Sequence, residues 1–146
     1  MVKQETEGPA TARPGDGKYA SIPAETDAVA RQVVDAVVKI HKSLGPGLLE
    51  SVYETCLVHE LRNRGLNVES QVRVPIRYDG VELETGLRLD LLVEGRVVVE
   101  VKAVERMLPV FEAQLLTYLR LSGKRVGLLV NFTVARAKDG IKRIVR

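Results

Sequence analysis

The fold is decided by a valine-rich stretch in the second half of the chain, Val97-Val98-Val99-Glu100-Val101-Lys102-Ala103-Val104. Near-continuous β-branched residues predict a strand that is buried on both faces. Glu100 and Lys102 interrupt it, and their spacing places both side chains on one face. Because burying an unpaired charge costs several kcal/mol, two alternatives follow. Either this is an edge strand with a solvated salt-bridged pair, or the two groups belong to a buried site that supplies partners.

A third charged residue precedes this pair. Asp90 lies in an apolar run, with nine residues between it and Glu100. A two-residue loop at Glu94-Gly95 would put the two carboxylates on opposite faces of the sheet. We predict instead a three-residue loop, Val93-Glu94-Gly95, which makes Asp90 and Glu100 diagonal neighbours on one face.

These three side chains suggest metal-dependent chemistry on phosphate. Two carboxylates on adjacent strands form the hard-oxygen site that Mg²⁺ or Mn²⁺ prefers. Such a metal polarises a phosphoryl oxygen and lowers the pKa of bound water. Lys102, beside the carboxylates, can orient that water and offset charge in the transition state.

Helices and strands surround this stretch in a regular order. Hydrophobic periodicity and turn residues predict helices at about 25–44, 48–64 and 111–121, strands at 68–78, 81–93, 96–104 and 126–132, and a basic terminal element. The first three strands should form an antiparallel meander. The order indicates a mixed α/β (α+β) domain over residues 25–146. Residues 1–24 are rich in Pro and Gly, and we expect a flexible tail.

Composition restricts the class of protein further. The chain has 146 residues, the size of one domain, and 45% of them are hydrophobic. Cys56 is the only cysteine, which excludes an internal disulfide and a four-cysteine iron–sulfur cluster. No apolar run approaches the roughly 20 residues that span a bilayer, and the N-terminus lacks a signal-peptide core. We therefore expect a soluble, cytoplasmic protein without a membrane partner.

Basic residues are concentrated at the C-terminus. Residues 25–120 carry a net charge of −3, whereas 121–146 hold seven basic side chains and one acidic one, for a net charge of +6. This segment can bind phosphates, or it can be an ordinary solvated face. The candidate nucleic-acid contacts are Lys124, Arg125, Arg136, Lys138, Lys142 and Arg143.

The chain resembles a known family. Asp90 followed by Glu100-Val101-Lys102 resembles the D…(D/E)-x-K pattern of the PD-(D/E)XK nuclease superfamily. Gln114 and Tyr118 resemble the Q-x-x-x-Y motif of RecB-type nucleases, and their spacing puts both on one helix face. Residues 47–53 match the motif that names the GxxExxY protein family. The resemblance covers about residues 25–146.

The resemblance implies a restriction-endonuclease-like αβββαβ core with an additional N-terminal helix. It implies Mg²⁺ or Mn²⁺ held by Asp90, Glu100 and the Val101 carbonyl, with Glu50 assisting directly or through water. Lys102 would be the catalytic base or water orienter. Gln114 and Tyr118 would position the phosphate or the strand hairpin.

Two positions depart from the pattern. Leu89 stands where the superfamily has Pro, which we expect to be harmless. Phe111 stands where the family has His. If that His binds the metal or a phosphate, its replacement by Phe111 weakens the site.

Two functional hypotheses follow. The first is a metal-dependent nuclease that cleaves phosphodiester bonds of nucleic acid, with DNA favoured over RNA. The second is a nucleic-acid-binding or adaptor module that keeps the fold without turnover, as Phe111 and the basic C-terminus would allow. A homodimer through the first helix or an exposed strand edge is left open.

Overall fold

The computed structural model describes residues 21–146. The elements in chain order are α1 (Ala24–Leu44), α2 (Glu50–Asn63), β1 (Val68–Tyr78), β2 (Val81–Val93), β3 (Val97–Lys102), α3 (Pro109–Ser122), β4 (Val126–Asn131), a short 3₁₀ helix (Ala137–Gly140) and β5 (Ile141–Val145). Residues 1–20, most of the predicted tail, lie outside the described residues.

The five strands form one mixed sheet in the order β1-β2-β3-β4-β5. The first three strands are antiparallel, as predicted for the meander. The chain then crosses over through α3, so that β4 lies parallel to β3, and β5 returns antiparallel to β4. A parallel neighbour requires such a crossover, and here α3 provides it.

The helices form a layer on each face of this sheet. Apolar residues of α1 and α2 pack against Val97, Val99 and Val101 of β3 and their neighbours in β4. On the other face, Leu115 and Leu119 of α3 pack against Val98 and nearby strand residues. This alternation explains the valine run, because both faces of β3 are covered by helices. The mixed α/β, restriction-endonuclease-like fold class is confirmed.

The position of β3 resolves the alternatives for its charged residues. β3 lies between β2 and β4, so the edge-strand alternative is wrong. Glu100 is only 7% exposed. Within the described residues it forms no salt bridge with Lys102.

The loop between β2 and β3 was predicted one residue too early. Val93 pairs with Val97, so the three-residue loop is Glu94-Gly95-Arg96. Both Glu94 and Gly95 adopt positive φ, at 54° and 62°, and the Arg96 N–H donates to the Val93 carbonyl at 3.0 Å. This register puts Asp90 opposite Glu100, not diagonal to it. The face that the two side chains share is unchanged, because the shift moves the pairing by an even number of residues.

Two further residues pack at the margin of the core. His41 is buried, and its Nε2 lies 2.7 Å from the Val134 carbonyl. The contact joins α1 to the segment after β4. Cys56 is half-buried and packs against the core.

Candidate active site

Asp90 and Glu100 form a carboxylate pair where β2 separates from β3. The ladder between these strands ends at Leu91 and Val99, and the two acids are the next residues outward. The Asp90 N–H donates to Glu100 Oε1 at 3.2 Å, and the Val101 N–H donates to Asp90 Oδ2 at 2.9 Å. The structure therefore brings together the two carboxylates singled out in the sequence.

Burial makes this pair electrostatically costly. Desolvation, and after it the neighbouring Asp90 charge, raise the pKa of Glu100 to about 8. Lys102 acts in the opposite direction but offsets only part of the rise. Two adjacent carboxylates held out of water are the donor set that a hard divalent cation would stabilise.

The pairing between β1 and β2 is interrupted at Asp90, which is half-buried. Ser70 pairs with Leu91 and Val72 with Leu89, whereas Gln71 and Asp90 between them leave the ladder. Gln71 adopts a φ of 55°. As a result, Leu89 and Leu91, which would share a face in a regular strand, pack into different core clusters. The break turns the strand at Asp90, as bulges beside active sites do.

The first turns of α2 bring two more carboxylates to this point. Burial raises the pKa of Glu50, with Lys102 lowering it and Asp90 raising it further, so all three charges are close. Burial also raises the pKa of Glu54, whose Oε1 accepts a 2.5 Å hydrogen bond from Gln71 Nε2. Glu54 and Gln71 are members of the site's surroundings that sequence reasoning missed.

Lys102 lies against Phe111, the residue that departs from the family pattern. Its Nζ is 4.6 Å from the centroid of the Phe111 ring, within cation–π range. Phe111 opens the first turn of α3, so this contact ties the end of β3 to that helix. A hydrophobic residue in helical spacing gave no signal that it would contact the lysine.

Asn131 fixes the chain just beyond Lys102. It is buried, and its side chain accepts from the Val104 N–H (3.1 Å) and donates to the Val104 carbonyl (2.9 Å). The Thr133 N–H also donates to it at 3.1 Å. Sequence reasoning missed this residue as well, although a polar side chain at the end of a fully apolar strand could have signalled it.

The two residues of the α3 motif have different surroundings. Burial, and then the charges of Glu100 and Asp90, raise the pKa of Tyr118, so its hydroxyl lies within electrostatic range of the carboxylate pair. Gln114 is exposed and forms no hydrogen bond within residues 21–146. The structure thus brings Tyr118 to the site and leaves Gln114 at its surface.

Most of the predicted C-terminal contacts are already engaged. Lys142 pairs with Glu112 at 2.6 Å, Arg143 with Asp27 at 2.6 Å and Arg136 with Asp139 at 3.2 Å. Arg125 donates to the carbonyls of Arg146 and Ser21. Lys124 and Lys138 have no acidic partner within the described part of the chain.

The described residues contain neither a three-ligand metal group nor a membrane-spanning helix. Across 21–146, no group of three or more Asp, Glu, His or Cys side chains is arranged to hold a metal ion. Glu50 is therefore near the carboxylate pair without completing a three-ligand group. In the same range, no helix has both the length and the apolar character needed to cross a membrane.

Comparison with known proteins identifies the class that this fold and site define. The family model described as PD-(D/E)XK nuclease superfamily matches residues 27–144. The chain therefore belongs to the PD-(D/E)XK nuclease superfamily. A search of the curated proteins and a search of the solved structures each found no match.

Proposed function

We propose that this protein is a metal-dependent nuclease that hydrolyses phosphodiester bonds of nucleic acid, with DNA favoured as the substrate. One observation carries the proposal. In a member of a nuclease superfamily, Asp90 and Glu100 are in direct contact at a break in the sheet, within electrostatic reach of Lys102. We also propose that it acts in the cytoplasm; a homodimer is compatible with this function.

The carboxylate pair suits Mg²⁺ or Mn²⁺. Asp90 and Glu100 would hold the ion together with the Val101 carbonyl, while Glu50 would act through a water, since it completes no three-ligand group. When bound, the ion would polarise the phosphoryl oxygen and supply a water of lowered pKa. The raised pKa of Glu100 supports this assignment, because a buried carboxylate pair without a cation is unfavourable.

Lys102 is proposed to orient the attacking water or to accept its proton. The Phe111 ring restricts where the ammonium can lie, which favours a defined position beside the carboxylates. Phe111 would then support the lysine, in place of the metal- or phosphate-binding role considered for a histidine.

The α3 residues are proposed to position the substrate. The Tyr118 hydroxyl is within electrostatic range of Glu100 and Asp90, and we propose that it donates to a phosphate oxygen. Gln114 is one turn earlier on the same face and exposed, so it would act only when a ligand is bound.

Membership of the narrower GxxExxY family is also a proposal, supported by residues 47–53. The tyrosine of this motif has a structural role. Tyr53 is fully buried and stacks on Phe132 at 4.3 Å between ring centroids. Its hydroxyl donates to the Gly45 carbonyl at 2.5 Å and accepts from the Leu48 N–H at 3.1 Å, which holds the turn that leads to Glu50.

A second candidate is a nucleic-acid-binding module without turnover. It is favoured by the absence of a three-ligand group in the described residues. Such a module would bind nucleic acid through charge and would not require a metal.

Metal titration and cleavage assays distinguish the two functions. We expect saturable Mn²⁺ binding by calorimetry and metal-dependent cleavage of DNA. Asp90→Asn and Lys102→Ala should each reduce cleavage by at least about a hundredfold while the circular dichroism spectrum is preserved. Asp79→Asn, at the exposed turn between β1 and β2, is the matched control. Wild-type protein that binds DNA but neither binds Mn²⁺ nor cuts DNA or RNA would support the module.

A further inference from the structure

The β1–β2 hairpin carries an arginine-rich surface that no motif indicated. It consists of Arg73, Arg77 and Arg88, called here the arginine face. Arg73 and Arg88 are directly opposite each other in the antiparallel register, so their side chains share a face. Arg77 lies four residues beyond Arg73, and the alternating exposure of β1 from Val72 to Arg77 puts both on one face, although the pairing with β2 shifts between Val74 and Ile76. All three residues are exposed.

The arrangement is unfavourable for the protein alone. Like charges directly opposite on a sheet repel. Glu82, opposite Arg77, is the one carboxylate in the paired rows of this face from Val72 to Tyr78. None of the three arginines forms an ion pair within residues 21–146; Arg73 donates instead to the Glu84 carbonyl at 3.0 Å. This contrasts with the C-terminal bases, three of which, Arg136, Lys142 and Arg143, pair with carboxylates.

The fold keeps these side chains outward. The opposite face of the hairpin is apolar, and Val72 and Val74 there pack against the α3 cluster. Arg88 lies two residues before Asp90 on β2, so the arginine face begins close to the carboxylate site along the chain, although the regular alternation of faces is broken at Asp90. Gln71, two residues before Arg73 on β1, donates to Glu54 of α2.

We propose that the arginine face binds the phosphate backbone of nucleic acid beside the scissile phosphate. Guanidinium groups match phosphate oxygens bidentately and remain charged, so a polyanion would relieve the repulsion between Arg73 and Arg88. Contacts of this kind position a backbone without reading its sequence. The location relative to the cut rests on the proposed nuclease function, whereas the binding itself does not.

The test measures binding without cleavage. Full-length protein carrying Asp90→Asn is titrated, without divalent metal, against labelled duplex and single-stranded DNA of mixed sequence at several salt concentrations. The double substitution Arg73→Gln/Arg88→Gln should weaken duplex binding by roughly tenfold or more at low salt. It should also reduce the slope of log K against log salt by about 2, the value expected for two lost phosphate contacts. Thermal stability should be unchanged or higher, because the substitutions remove a repulsion.

The control substitutes two exposed arginines elsewhere, Arg31→Gln/Arg120→Gln, with the same change in net charge. A loss of affinity and slope equal to that of the control would overturn the proposal, as would unaltered binding. Protein that keeps Asp90 distinguishes a failure of the arginine face from a failure of the proposed nuclease function. If that protein cuts DNA but the arginine-face variant binds and cuts normally, the proposed face is wrong and the nuclease stands. If binding depends on the face but no metal-dependent cutting occurs, the face stands and the nuclease is wrong.

Discussion

In Glu100, burial and charge are in conflict. Its pKa is raised to about 8, so the folded protein binds more protons than the unfolded chain between pH 4.5 and about 8. Stability of the metal-free protein should therefore fall as the pH rises through this window, and the full penalty should apply above it. The hydrogen bond from the Asp90 N–H to Oε1 needs only an acceptor, which a glutamine retains.

We therefore predict that Glu100→Gln stabilises the metal-free protein at alkaline pH. The gain in the free energy of unfolding should be on the order of 5 kcal/mol above pH 8 and should vanish near pH 4.5. Urea unfolding across this pH range measures it. Glu82→Gln, at an exposed position of β2, should show no such pH-dependent gain. A pH-independent difference between wild type and Glu100→Gln would contradict the assigned cause.

Phe111 departs from the family pattern, and only the three-dimensional structure reveals that this residue contacts Lys102. Replacing its ring by Leu keeps an apolar side chain but removes the cation–π contact with Lys102. We predict that Phe111→Leu lowers kcat about fivefold with little change in KM, and that Phe111→Tyr restores most of it.

A spectroscopic measurement separates this role from simple packing. The Lys102 methylene protons should show upfield ring-current shifts in the wild type and in Phe111→Tyr, but not in Phe111→Leu. Absence of these shifts in the wild type would contradict the contact whether or not the protein cuts DNA.

At the scale of elements, the sequence indicated the strands and helices but not the break that makes the site. The valine run indicates a strand and Asp79-Gly80 indicates a tight turn. These local preferences were sufficient to predict β3 and the β1–β2 hairpin. The unpaired row at Gln71 and Asp90 coincides with a contact to α2, where Gln71 donates to Glu54. Nothing in the local sequence specifies that Gln71 takes positive φ or that it contacts Glu54, 17 residues away in the chain.

The end of β4 gives a second element-scale case, because one buried side chain holds the segment that follows β3. We predict that Asn131→Ala lowers the free energy of unfolding by about 2–3 kcal/mol, since the Val104 N–H and carbonyl and the Thr133 N–H lose their partner. Chemical denaturation measures this. Thr133→Val keeps the backbone donor and should cost less than about 1 kcal/mol. Equal losses for the two variants would show that Asn131 has no special role.

At the scale of the whole molecule, the arrangement of charge in the structure differs most from the one that the sequence suggested. The sequence places a net +6 in the last 26 residues, which suggested a basic surface. In the fold, β5 lies at one edge of the sheet, and successive residues point to opposite faces. Lys142 therefore reaches Glu112 of α3 while Arg143 reaches Asp27 of α1, so the two bases tie the edge strand to both helix layers. One-dimensional charge counting could not anticipate pairing over such long chain separations.

This pairing leads to a final prediction. Lys142→Gln/Arg143→Gln should lower the free energy of unfolding by about 0.5–1 kcal/mol at low salt, the usual range for exposed pairs, and the difference should disappear at high salt. DNA affinity should fall less than it does for Arg73→Gln/Arg88→Gln, because the C-terminal bases must first leave their carboxylates. Denaturation and binding titrations at matched salt test both parts. If the C-terminal variant loses more DNA affinity and no stability, the basic terminus is the main nucleic-acid surface and these ion pairs contribute nothing to the fold.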